Sequence, residues 1–304
     1  VRPAVPEVVL AADVPVEDLQ RRIRRGTLVR VGRGAYAPSW EGLDPHASAQ
    51  HLLLCRAAAV HARRTGEHWF SHTTAAVLWG CSLITVPRHV DVTGPVRRRA
   101  VPKDRSDGVR DHFAVMSTGD VSRSLALPTT SLERTVVDCA ATLPGAEGLA
   151  AADSGLRAGA DPAELRRIVE RRAGSPGIRR ARLVLGMADA RAESVGESRL
   201  RWILAASGSP CPDLQVPVRT VGGWRWVDVG WPEERVAVEF DGRVKYGTDG
   251  CAAADALFQE KRRQHAIEDE GWTVLRVTWR DLDRPAEVVQ RVRRALRSAR
   301  RRRG

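Results

Sequence analysis

The spacing of apolar positions changes character several times along the chain, and each change marks a different kind of element. "VPVEDLQRRIRRG" (14–26) puts Leu19 and Ile23 four apart on one face and stops at Gly26, which predicts a helix. "TLVRV" (27–31) and "AYA" (35–37) flank "GRG" (32–34), the pattern of a tight β-hairpin. Helical spacing then dominates in "PHASAQHLLLCRAAAVHARR" (45–64), "SHTTAAVLWG" (71–80) and "TSLERTVVDCAATL" (130–143). Thr130 and Glu133 stand at capping-box spacing at the start of the last of these. "ITVPRHVDVTGP" (84–95) alternates like a strand, and "RRAGSPG" (171–177) is the best linker candidate.

Beyond it the pattern predicts a helix at 178–191 and another at 194–207, then strands at 214–220, 224–230 and 235–240. A helix at 253–270, a strand at 272–278 and a final helix at 285–302 complete the order. This is a compact α/β layout with a largely antiparallel meander. The expected fold class is α+β multidomain, with three regions. Residues 1–40 form a winged helix-turn-helix-like region, 41–190 a mostly helical middle domain, and 191–304 an α/β domain with an arginine-rich tail.

Composition narrows the classes. With 43% hydrophobic and 28% charged residues in 304, the chain has enough apolar material for real cores. No segment approaches the ~18 apolar residues of a membrane helix, and the N-terminus lacks a signal peptide's apolar stretch, so a cytoplasmic, non-membrane protein is expected. The five cysteines are scattered without CxxC pairs, which argues against a disulfide framework or a zinc ribbon. His68 and His72 lie four apart with no third ligand nearby and read as ordinary polar residues.

Charge adds a partner. The net charge is +12, and "RVRRALRSARRRRG" (291–304) contributes eight arginines and no acid, which favours polyanions or, more plainly, keeps a frayed helix end solvated. Arg21, Arg22, Arg24 and Arg25 on the first helix, with Arg30 and Arg33 on the hairpin, match the recognition helix and wing of a winged helix bound to DNA. The same arginines also suit a solvated helix face.

Candidate chemistry concentrates in "RWVDVGWPEERVAVEFDG" (225–242), where Asp228, Glu239 and Asp241 interrupt apolar strands. Alternation places Glu239 and Asp241 on one face, and the short turn "WPEE" folds Asp228 back beside them. Glu197 shares a helical stripe with Leu200 and Leu204 and should face the sheet. Carboxylates this close disfavour each other's ionisation unless a cation sits among them, and hard oxygen donors suit Mg²⁺ or Mn²⁺. Such a metal, held by Asp228, Glu239 and Asp241, would generate hydroxide and polarise a phosphate. Lys245 would orient the water or stabilise developing charge, and Lys261, Arg262 and Arg263 would hold the substrate backbone. Ion pairs between these acids and neighbouring arginines are the structural alternative.

Two resemblances follow. "GESRLRWIL…VDVGWPEERVAVEFDGRVKY…FQEKRRQHAIEDEGWTVLRVTWRDL" resembles the family related to very-short-patch-repair endonucleases, within the PD-(D/E)XK (restriction-endonuclease-like) superfamily. It implies that Glu197, Asp228, Glu239 and Asp241 are the acidic site of a Mg²⁺-dependent DNA endonuclease. Asp241 stands where the superfamily carries its lysine, and Lys245 where many relatives carry a histidine. "DLQRRIRRGTLVRVGRGAYAP", "FSHTTAAVLWG" and "LPTTSLERTVVDCAATL" resemble AbiEi-type antitoxins of type IV toxin–antitoxin systems. That family implies a winged-helix repressor, a helical antitoxin domain and a cognate toxin. The combined expectation is a DNA-binding regulator carrying an endonuclease-like domain; the alternative is a non-enzymatic repressor that keeps only the nuclease fold.

Overall fold

A computed structural model describes residues 5–96, 108–242 and 261–302, and the chain divides into two compact units, Val1–Ala188 and Asp189–Gly304. Together they are α+β. Among the described residues no helix is long and apolar enough to cross a membrane.

The first unit opens with β1 (Val9–Leu10), α1 (Val16–Arg24), β2 (Leu28–Gly32) and β3 (Ala35–Pro38), the strands ordered β1-β3-β2. Leu19 anchors α1, but Ile23 is 39% exposed, so the apolar stripe is narrower than its spacing suggests. The hairpin does not stand alone. Val31, Ala35 and Ala37 share a core with Cys55 and Ala59 of α2 (Pro45–Arg63), whose first turn is capped by Asp44.

The region after α2 is rich in helices, yet they are built around a five-stranded mixed sheet that sequence pattern showed only in part. β4 (Trp69–Phe70), β5 (Val90–Gly94), β6 (Val109–Phe113), β7 (Val121–Ser124) and β8 (Leu127–Thr130) lie in the order β6-β5-β4-β8-β7. Strands of two to five residues are too short to declare a period of two. Helices α3 (His72–Leu78), α4 (Leu132–Thr142), α5 (Gly145–Arg157), α6 (Pro162–Arg171) and α7 (Ile178–Met187) complete the unit.

Two local expectations are corrected. Helix α4 is capped one residue later than its capping-box spacing implied: Ser131, not Thr130, accepts the Arg134 N–H, and Glu133 accepts the Asp161 N–H at 3.1 Å instead. Thr130 is buried beneath, 2.7 Å from the Thr135 hydroxyl. Residues 171–177 are not an interdomain linker but the packed turn between α6 and α7. Gly177 has φ 78°, and a Cβ there would collide with the Ala141 carbonyl oxygen, so only glycine fits.

The second unit is a four-stranded sheet, β12-β11-β10-β9, preceded by α8 (Val195–Ala206). β9 (Asp213–Thr220), β10 (Gly223–Trp231) and β11 (Val236–Asp241) form an antiparallel meander; β12 (Thr273–Thr278) pairs parallel to β11. The described part of α9 covers 261–269, and a short α10 (Trp279–Leu282), capped by Thr278, precedes α11 (Pro285–Arg301).

Alternation on β11 separates two cores. Val236 and Val238 pack with Leu200 and Leu204 of α8 and with Val292 and Leu296 of α11, whereas Ala237 packs with Val216, Val227 and Ile267 of α9. Through Arg301 the arginine-rich tail is thus a packed helix. Val288, Val292, Leu296 and Ala299 bury one face of α11, Arg300 pairs with Glu234 at 2.8 Å, and Arg291 donates to the Arg276 carbonyl at 2.6 Å.

Candidate functional site

The β10–β11 ladder runs from Trp231↔Val236 to Val229↔Val238. Beyond that point a side chain takes over from the backbone: Asp228 Oδ2 accepts the Phe240 N–H at 2.8 Å. Asp228 therefore sits one peptide from Glu239, which is 6% exposed and projects to the Ala237 side of the sheet. Asp241 follows on the same face at the end of the strand, half-buried.

Helix α8 brings the third carboxylate. Ser194 caps it by accepting the Glu197 N–H at 3.1 Å, and Glu197 Oε2 accepts the Glu193 N–H at 2.9 Å. Gly196 lets this first turn lie on β11, since a Cβ there would run into the Phe240 ring. Glu197 is 5% exposed. Burial, helped by the negative charge of Asp228 and opposed by the hydrogen bonds from Glu193 and Ser194, raises its carboxyl above the usual range.

Helix α9 supplies the cation. Arg263 donates to Glu239 Oε1 at 3.0 Å and to the Trp226 carbonyl at 2.8 Å. Around these residues opens a cleft of about 560 Å³, lined by Asp228, Arg263, Glu193 and Gln215 together with Trp224, Arg225 and Trp226. Two donors on its wall, Gln215 Nε2 and Arg263 Nε, are buried without a hydrogen-bond partner among the described residues.

Of the residues singled out from sequence, Asp228 lines this cleft, Glu197 lies within reach of its charge, Glu239 bonds Arg263 on the cleft wall, and Lys261 and Arg262 lie exposed on α9. Lys245 lies outside the described residues. Arg21, Arg24, Arg25, Arg30 and Arg33 are exposed in the first unit and Arg22 is half-buried; Arg21 pairs with Asp18. Trp224 and Trp226 were missed, although two tryptophans at i and i+2, just ahead of Asp228 in the chain, are a legible signal.

The acids offer the hard oxygens that Mg²⁺ or Mn²⁺ takes. The set does not close into a shell, however. Glu239 is engaged by Arg263, and among the described residues no three His, Cys, Asp or Glu side chains come close enough together to hold a metal ion.

A second polar cluster, in the first unit, was also missed. Asp91 on β5 is 2% exposed and accepts from Thr73 at 2.5 Å and from His112 Nε2 at 2.9 Å, with His89 Nε2 at 3.4 Å. His72 stacks on the His112 ring at 3.8 Å, while His68 turns away to His61 at 3.0 Å. Burial alone would raise Asp91, but the bonds from His112 and Thr73 outweigh it and hold the carboxyl below its usual range. Asp91, Thr73 and His112 satisfy one another within the fold, whereas His89 Nε2 is buried without a hydrogen bond among the described residues.

Comparison with known proteins places the chain in a family of full-length relatives. It is 32% identical over 289 residues to two Mycobacterium tuberculosis proteins, Uncharacterized protein Rv2248 and Uncharacterized protein MT2308, covering 93% of this chain and 98% of each of them. The chain belongs to the family of these mycobacterial proteins. Among solved structures, the RV2827C protein from Mycobacterium tuberculosis matches with 20% identity and a TM-score of 0.38, over 61% of this chain and 72% of that one. No protein-family model matches the chain.

Proposed function

We propose that the protein binds DNA through both units, and that the second unit is a PD-(D/E)XK-like domain that receives a phosphodiester strand at the acidic cleft. One observation carries this reading. Asp228 lines an open cleft whose wall also presents arginines and tryptophans, Glu239 is bonded to Arg263 on that wall, and Glu197 lies near enough to Asp228 to feel its charge. A purely structural ion-pair network has no need of a cavity, and a cleft for a neutral ligand has no need of arginines. In the first unit, α1 and the β2–β3 hairpin present Arg21, Arg24, Arg25, Arg30 and Arg33 to solvent in the succession of a recognition helix and wing. Both features suit a polyanion.

Within this proposal Asp228 and Glu239 are the residues that would take Mg²⁺ or Mn²⁺. A melt of the full chain in EDTA, then with each metal, tests it beside the Asp228→Ala/Glu239→Ala variant. Stabilisation of the wild type alone, by linkage of binding to folding, together with metal-dependent cleavage of DNA, is the expected result. The Arg263–Glu239 pair and the acid at position 241 favour a second reading, a non-catalytic DNA-binding regulator. DNA binding without metal response or cleavage would select it.

A further inference from the structure

We infer that Trp224 and Trp226 form a stacking platform for unpaired bases, so that the cleft takes single-stranded nucleic acid in preference to duplex. This rests on the reading of the second unit as nucleic-acid-binding and adds the state of the strand it accepts. Trp224 is 54% and Trp226 51% exposed, whereas Trp231 on the same strand is 4% exposed with its indole N–H bonded to the Pro210 carbonyl. Residues i and i+2 of a strand share a face, so the two indoles stand side by side, and Asp228 follows two residues on along the same cleft. Their backbone spacing is about 7 Å, roughly twice the 3.4 Å rise between neighbouring nucleotides of a strand. One base fits between two such rings. A paired base inside a duplex presents its edge and cannot enter.

Charge identifies the occupant. Arg225 lies between the tryptophans in sequence, Arg219 is the cross-strand partner of Trp224, and Arg263 holds the Trp226 carbonyl. Gln215 and Arg263 line the same wall and add donors to it, which suits an occupant that brings acceptors, as phosphates and base edges do. Addition of a second copy edge to edge is disfavoured, because β9 is the edge strand and Pro217, opposite Trp226, has no N–H to offer.

The test is binding of labelled oligonucleotides to the full chain in EDTA: single-stranded DNA, the duplex of the same sequence, and single-stranded RNA. Wild type, Trp224→Ala, Trp226→Ala and Trp226→Phe are compared, with circular dichroism melts to confirm folding. Each alanine variant should weaken single-strand binding by roughly 5- to 150-fold, the range that removal of one stacked base implies. Duplex binding should change little, and Trp226→Phe should retain most of the affinity. The RNA arm shows whether the cleft takes both kinds of single strand or DNA alone. Equal loss on single strand and duplex overturns the platform, as does no loss at all. Duplex binding without single-strand binding overturns it too, while DNA binding itself stands. Single-strand binding that depends on the tryptophans, with no cleavage when Mg²⁺ is added, keeps the platform and removes hydrolysis. Self-association abolished by Trp224→Ala would assign the face to a second copy instead.

Discussion

Asp91 in the first unit and Glu197 in the second are nearly equally buried, 2% and 5% exposed, yet their carboxyls shift in opposite directions. Around Asp91, donors from Thr73 and His112 outweigh burial. Around Glu197, burial wins and the nearby charge of Asp228 adds to it. The same holds more widely. Asp120 and Asp138 are each met by Arg134 and by a second arginine, Arg171 or Arg172, while in the second unit Arg263 meets Glu239 and Asp228 lines an open cleft. Burial of an acid is therefore no guide to function. What distinguishes a candidate site is a buried acid whose carboxyl is raised by burial and by a like charge, with that neighbour on the wall of a cleft.

The largest effect that would break this contrast comes from truncation. Asp91→Ala leaves one buried donor, Thr73, and one half-buried donor, His112, without their acceptor and should cost about 3 kcal/mol, read from hydrogen exchange of the first unit. Asp228→Ala loses one half-buried bond to the Phe240 N–H and should cost about 1 kcal/mol in the second unit. Equal costs would mean that both clusters are structural.

A slightly smaller effect sharpens the comparison through pH. Burial is the main cause that pushes His72 down to about 4 from its ordinary 6.5. Below pH 6.5 the unfolded chain binds a proton that the fold refuses until about 4, so the first unit is fully stabilised above 6.5. As pH falls through that window it should lose up to about 3 kcal/mol. His72→Gln should flatten the loss in pH-dependent denaturation. Glu197 has the opposite sign. Its contribution is present below its unfolded value of 4.5 and is lost as pH rises through the raised folded value, unless a cation binds.

The smallest effect concerns α11. Deleting the tail would remove Val292 and Leu296 from the core, so its charge is better tested by Arg294→Gln/Arg297→Gln/Arg301→Gln, three exposed positions. For every one of these arginines that pairs with a phosphate, its replacement should lower the salt dependence of DNA binding by roughly 0.9 in log–log slope. An unchanged slope would take α11 out of the interface.

The order of elements in the second unit was legible because its strands are long enough to alternate and its helices carry wide apolar stripes. The sequence also marked Glu197, Asp228 and Glu239, since a carboxylate within an apolar strand or on an apolar helix stripe conflicts with its surroundings. It could not show that Arg263, from 24 residues downstream, would reach Glu239, or that Asp228 would replace a ladder bond at Phe240. In the first unit the short strands around Asp91 left almost no period to read. Their pairing of β4 with β8, and the meeting of Asp91 with His112 from 21 residues away, exist only once the sheet has closed. Local periodicity is written residue by residue along the chain. Which distant charge compensates which buried acid is decided only by tertiary packing, because the free energy of a buried charge depends on every donor and cation that the fold brings within reach.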